Sequence, residues 1–410
     1  MPSSLVRADP NAFSPRFGFA WRPFVKFNTL LRGGYSIFYS GSPYAQIASQ
    51  LASQPPFATT GSFSTSLAAP LTIENGFVTV PPAGSGTATI TNTYAVDPNY
   101  TLAYAQQWVF AIQNSLPHGF LVEIEYLGTK GTHLGVYEQP NQALPGTSVV
   151  TAQQQLRISY ATGFNYQTSG ANSSFNAGQI RVTRRFQRGM SFVALYTYSK
   201  SIDNASSFTG TGGTLVQFVN NWQLERGLSS TDQRHRLNLT YTLSSPVGVN
   251  GMMRNGGWKT ALLAGWTLNG TFTAQSGTPL TAKVAGNLSN TGGTGALGTG
   301  RAEATGLPIE GGGNPYFDLA AFTTPLAGHY GNAGRDTIPG PFLTSLNASL
   351  NRAFRFGESR RQLQLRISAN NVFNHVIVTS FGTTVNSATY GLPTAASATR
   401  TVNLLLRFNF

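Results

Sequence analysis

The sequence is 410 residues long, carries 27 Lys and Arg against 14 Asp and Glu, and contains 45 Gly, 27 Phe and no Cys. Disulfide frameworks and thiolate metal or redox sites are thereby excluded, and no run reaches the roughly 18 apolar residues of a membrane helix. The net charge of +13 comes from basic residues scattered along the sequence, without the helix, zinc spacing or RNA-binding signature of a nucleic-acid partner, so none is expected.

Only 10% of residues are charged and mean hydropathy is close to zero, with Thr, Asn and Ser where a soluble enzyme would place Lys and Glu; the chain reads as one that meets two solvents. The dominant period is two, the mark of strands whose faces see different surroundings. In chain order the strands are expected near 16–22, where Phe17, Phe19 and Trp21 align, and near 29–39, 106–116, 120–128 and 176–186. They continue near 191–200, with Phe192, Tyr196 and Tyr198 on one face, and 236–246, where Leu237, Leu239 and Tyr241 alternate with Arg236, Asn238 and Thr240. The last four lie near 265–276, 342–354, 362–373 and 400–410. Thr87 to Tyr94 is a further candidate inside a long connection. Most of these segments match the 9 to 11 or so residues with which a tilted strand crosses a bilayer.

A large sandwich or propeller also alternates apolar and polar faces, and the connections decide between them. Short links near Pro23 to Asn28, Pro117 to Gly119, Gln187 to Gly189, Val247 to Ala261 and Arg355 to Arg361 alternate with long ones. The long ones run near Ser40 to Asn99, Thr129 to Phe175, Ser201 to His235, Gly277 to Pro341 and Asn374 to Thr399. Short turns at one end and long loops at the other describe an outer-membrane barrel, with the turns in the periplasm. The expected fold class is therefore all-β, an antiparallel transmembrane β-barrel, with about eleven strands here. Complete bacterial barrels hold an even number of strands with both ends in the periplasm. The chain thus reads as the C-terminal half of a barrel of about 22 strands, one partial-barrel domain over 1–410 without plug or signal peptide.

The faces assign roles to particular residues. Glu123, Glu125, Arg181, Arg236 and Arg366 fall on polar faces and are lumen-facing candidates, since an Arg facing lipid at midplane costs about 2–4 kcal/mol. Glu123 and Glu125 are expected to tune selectivity or to pair with Arg on neighbouring strands. Arg184 and Arg352 fall on apolar faces beside short turns, from which they can snorkel. Trp21, Trp108, Trp266, Tyr196 and Tyr198, with Phe408 and Phe410, suit the aromatic girdles at the bilayer boundaries.

Several stretches also resemble the barrel of TonB-dependent receptors, in particular the Oar-like group. They are PRFGFAWRPF from Pro15, LRGGYSIFY from Leu31, QQWVFAIQNSLPHGFLVEIEYLGTKGTHL from Gln106 and DQRHRLNLTY from Asp232. GWTLNGTFTAQSGTPLT from Gly265, GNAGRDTIPGP from Gly331 and LQLRISANNVFNH from Leu363 complete the set, which spans nearly the whole chain. The resemblance implies energised uptake of a ligand across the outer membrane, with coupling to the TonB complex through an N-terminal region that this sequence does not contain. Half a barrel has two unpaired strand edges, so the chain is not expected to work alone. The C-terminal Phe410, with Phe408 and Leu406 before it, resembles the signal read by the outer-membrane assembly machinery. The alternatives are a non-transporting structural or adhesion barrel and a passive porin.

Chemical motifs are weak. Gly293, Gly295 and Gly298 form GxGxxG without the flanking strand and helix that a dinucleotide site needs. Asp232, Arg234, His235 and Arg236 bring acid, base and cation together but suit a hydrogen-bonded belt where a strand leaves its loop. The five histidines show no metal-ligand spacing. No cofactor, metal or enzymatic activity is expected, and ligand capture is assigned to the long loops.

Overall fold

The computed structural model describes residues 6–7, 10, 12–24, 28–40, 43–54, 57–58, 90–91, 94–147, 161–162, 165–205, 216–217, 221–245, 258, 263–291, 300–310, 316–355 and 361–410. Eleven strands form one meander: β1 Arg16–Phe24, β2 Thr29–Tyr39, β3 Tyr104–Leu116, β4 Phe120–Glu138, β5 Asn165–Gln187 and β6 Met190–Asp203. It continues through β7 His235–Ser244, β8 Trp266–Leu280, β9 Ile338–Arg355, β10 Gln362–Asn370 and β11 Thr401–Asn409. Each pairs antiparallel with the next in sequence. Two short segments join the sheet off this path, Tyr94–Val96 running parallel to β5 and Gly227–Leu228 antiparallel to β6.

Each of the eleven strands overlaps one expected segment, but β4 and β5 run about ten residues past their expected ends on the loop side, and β8 and β9 about four. Beyond Gly128 the residues Thr129, Lys130, Thr132 and His133 are polar on both faces, so alternation disappears while the pairing of β4 with β5 continues as far as Glu138 and Tyr166. The register shifts around Leu134, next to His133 at φ 56, which marks a bulge in that extension. At its other end β10 stops at Asn370, short of the expected 373, because Asn371 turns the chain at φ 50.

The two ends of the sheet differ. At one end Arg188 (φ 50) and Gly189 (φ 77) make a two-residue turn with both residues left-handed, the geometry that matches strand twist in a tight hairpin. Pro117–Gly119 closes the β3–β4 hairpin there in three residues. At the other end the described parts of the long connections pack into a layer of their own. Its core holds Ala282, Val284, Ala302, Phe317, Phe322, Ala333 and Ile338, with Tyr316 stacked on Phe381 at 4.7 Å.

The strand pairings also sort side chains by face, because directly paired residues in an antiparallel ladder point the same way. One face carries Trp21, Leu31, Trp108, Ile124, Ile180, Tyr196, Leu239, Phe272, Leu350, Ile367 and Leu404, linked strand to strand by register. This apolar face is open to its surroundings, with Trp21 60%, Ile180 45% and Leu404 65% exposed. Apolar side chains on every strand, exposed like these or half-buried like Leu31, Leu239 and Phe272, call for an apolar solvent.

Candidate functional site

The opposite face carries the charges. From Arg32 the register runs through Ala111 and Glu125 to Gln179, Thr197, Arg236 and Gln275, and farther along Asn351 pairs with Arg366. Glu123, Glu125, Arg181, Arg236 and Arg366 therefore share this polar face, although they are spread over four strands and form no single cluster. Glu123 lies directly opposite Arg181 and Gln113. Its ion pair is with Arg32, two strands away. The small, buried Ala111 on the strand between lets the guanidinium pass over it.

Beside Glu125 this face holds a cavity of about 530 Å³, lined by Arg16, Ser36, Phe38, Gln107 and Glu125 among others. Its floor is the directly paired Gly18 and Gly34, which put no side chain into the space. Arg16 sits with its guanidinium 4.6 Å over the Phe38 ring.

Trp21, Trp108, Trp266, Tyr196 and Tyr198 all lie on the apolar face. Trp21 and Trp266 sit toward the turn end, while Trp108 and Tyr198 sit toward the loop end. Trp108 lies flat against Gly128, where a Cβ would fall inside the indole ring, so the glycine is required for that seat. Tyr196 Oη and His235 Nδ1 are hydrogen-bonded at 2.8 Å, and the Tyr198 ring lies 5.1 Å from the imidazole. Next to them Asp232 is buried and accepts from the Ser201 N–H, tying the chain entering β7 to the end of β6. Leu406 and Phe408 continue the apolar face on β11, and Phe410 is 98% exposed, its ring 6.3 Å from that of Phe408.

Sequence reasoning missed a buried ionic network in the loop-end layer. Arg335 pairs with Asp203 and donates from Nε to the Glu225 carbonyl at 3.0 Å. Arg301 donates to Glu225 Oε1 at 3.1 Å and to the Leu224 carbonyl at 2.8 Å. Gln217 bridges the same groups, its N–H to Glu225 Oε1 and its Nε2 to the Gly331 carbonyl. All five side chains are buried. Burial opposes the charge on Arg301, with Glu225 restoring part of it. Burial also raises the Asp336 carboxyl above its ordinary range, against the Thr281 hydrogen bond, and pushes the Tyr390 phenol up to about 12. Arg335 lies in the stretch GNAGRDTIPGP, the one signal that pointed to it; Arg301, Glu225 and Gln217 carried none. Among the described residues no three His, Asp or Glu side chains gather as a metal site. Gly293, Gly295 and Gly298 lie outside the described residues.

Basic residues that look scattered along the sequence share one end of the sheet. Arg22, Arg184, Arg185, Arg188, Arg352 and Arg361 all stand at the turn end. The acids Asp97, Glu138, Asp203, Glu225, Asp232 and Asp336 stand at the loop end. On the apolar face Arg184 lies 5.4 Å over the Phe120 ring, and Arg352 lies 5.4 Å over Trp266 and 4.4 Å over Phe354.

An apolar outer face, a polar inner one, and turns opposed to loops are the features of a transmembrane barrel wall. The family model described as outer membrane beta barrel domain matches residues 1–403. The chain belongs to the outer membrane β-barrel domain family. It is an outer-membrane protein, and its exposed apolar face is the face in contact with lipid. Among solved structures of similar fold, the outer membrane transporter YddB from Escherichia coli is 9% identical with a TM-score of 0.54, over 96% of this chain and 40% of that one. The ferric enterobactin receptor PfeA from Pseudomonas aeruginosa is 12% identical with a TM-score of 0.46, over 96% and 39%. The FrpB iron transporter from Neisseria meningitidis is 9% identical with a TM-score of 0.44, over 95% and 38%. The likeness to YddB is one of fold, and this chain spans 40% of that chain. No curated protein matches the sequence.

Proposed function

We propose that the chain is the C-terminal half of the barrel of a TonB-dependent outer-membrane transporter, taking up a ligand through a lumen that its polar face lines. The observation that carries this reading is the polar face followed by register from β2 to β10, with Glu123, Glu125, Arg181, Arg236 and Arg366 on it. A wall of charge and amide opposite a lipid-facing wall serves a water-filled interior. β1 and β11 run in the same direction, so closing the sheet with antiparallel seams takes an odd number of further strands, as about eleven more would supply. In this reading those strands, a plug and a TonB-contacting segment come from an N-terminal region of the full protein. The packed loop-end layer then faces outward and meets ligand first, and the C-terminal Leu406, Phe408 and Phe410 address the assembly machinery.

The test is uptake by cells producing the full protein, with and without TonB, using labelled iron complexes, vitamin B12 and peptides as probes. Accumulation that stops without TonB supports energised import. Accumulation that continues without TonB makes the barrel a porin, and no accumulation of any probe favours a structural or adhesion role.

A further inference from the structure

The concentration of arginine at the turn end is not used by transport, and one part of it has the form of a ligand site. On the lipid-facing side, Met190 and Phe192 of β6 and Leu239, Tyr241 and Leu243 of β7 enclose a groove of about 400 Å³ lined by these residues alone. Two small residues create it. Ala194, paired with Leu239, leaves the wall low, and Gly270 on β8 lets the Tyr241 ring lean away over it. Arg184 stands at the side of the groove, directly paired with Phe192 on one flank and Phe120 on the other, whose rings meet edge to face at 6.0 Å. Its guanidinium lies over Phe120, and its buried Nε takes no hydrogen-bond partner among the described residues. Arg188, exposed at the tip of the adjoining turn, adds a second cation on the same hairpin.

We propose that this hairpin holds one anionic glycerophospholipid of the turn-side leaflet, its phosphate on Arg184 and Arg188 and an acyl chain in the Met190–Leu243 groove. The chemistry matches part by part. A guanidinium seated on an aromatic ring is suited to a phosphate oxygen through its Nη donors, while a groove without polar lining offers an alkyl chain dispersion contacts and nothing to desolvate. Snorkelling alone would require only that Arg184 reach water; it would not require a groove beside it. The proposal rests on the turns facing the periplasm, where the bilayer leaflet is glycerophospholipid.

The experiment reconstitutes the full protein in nanodiscs of phosphatidylethanolamine mixed with phosphatidylglycerol and identifies retained lipid by native mass spectrometry. Phosphatidylglycerol should stay bound to the wild type, fall several-fold in Arg184→Gln, and return in large part with Arg184→Lys. Leu239→Trp should also displace it by filling the groove, whereas Lys200→Gln at the loop end should not. Heat-modifiable migration on gels checks that each variant is folded. Equal retention of the two lipids, or full retention by Arg184→Gln, overturns the site. Orientation is read separately with an Arg188→Cys variant and a membrane-impermeant maleimide on intact cells. No labelling is expected, and labelling would place the hairpin outside, against lipid A, and overturn the assignment to a glycerophospholipid.

Discussion

Ile180 and Gln179 are adjacent in β5 and point to opposite faces, so the same substitution at each should have opposite consequences. Ile180 is paired with Ile124 and Tyr196 on the lipid-facing side, and Gln179 with Glu125 and Thr197 on the polar side. With Arg184 at the interface, four residues at about 3.3 Å rise and a tilt near 40° set Ile180 on the order of 10 Å deeper, close to midplane. Arginine there costs about 2–4 kcal/mol, a factor of about thirty to several hundred in the folded-to-unfolded ratio. Gln179→Arg instead places its cation opposite Glu125 on a wet face, for a change of about half a kcal/mol or less. Folded fraction by heat-modifiable migration, and denaturant midpoint of the full protein in vesicles, measure both. Equal losses at the two positions, or a larger one at Gln179, would refute the face assignment.

Three further outcomes follow from the loop-end layer and the C-terminus. Arg335→Met leaves Asp203 buried without its ion-pair partner, a change of about 3–5 kcal/mol for such pairs; hydrogen exchange should show protection lost across 280–291 and 316–340. The double variant Asp203→Leu/Arg335→Met should recover much of it. Because burial holds Asp336 above the ordinary carboxylate range, its protonated form suits the fold. Its contribution to the stability of the layer should therefore be fully present below the unfolded-state carboxyl range and be lost as pH rises through the raised value. Asp336→Asn, which also tolerates the left-handed φ of 57, should flatten that dependence in a pH series of limited proteolysis. Deleting Phe410 from the full protein should lower its outer-membrane level, and unchanged levels would count against an assembly signal.

The lipid-crossing part of the fold was legible because two solvents write a period-two pattern, as in Leu237, Leu239 and Tyr241 against Arg236, Asn238 and Thr240. Where both faces of a strand meet water or loop, as after Gly128 in β4, the pattern vanishes although the ladder continues. The loop-end layer was not legible for a related reason. Val284, Phe317 and Ile338 are spaced irregularly among Gly, Pro and Thr, and they become a core only when distant segments meet. The ionic network is equally hidden, since Arg301 and Glu225 lie 76 residues apart and Arg335 and Asp203 lie 132 apart. The turn-end arginines belong to the same class, scattered along the sequence until the alternating strand directions bring them to one end of the sheet, spread over β1, β5, β9 and β10. For the polar face, sequence alternation supplied the members, whereas the reach of Arg32 over Ala111 to Glu123 needed the register.

If β5 separates lipid from a water-filled lumen, spin labels read it directly. These 410 residues hold no cysteine, so single cysteines at 178 to 183, introduced in the full protein with any cysteine elsewhere replaced, can each carry a nitroxide in bilayers. Labels at Gly178, Ile180 and Val182 should relax with oxygen, and those at Gln179, Arg181 and Thr183 with a water-soluble nickel chelate, alternating at every step. Uniform oxygen accessibility, or nickel accessibility on both faces, would contradict a wall between lipid and water.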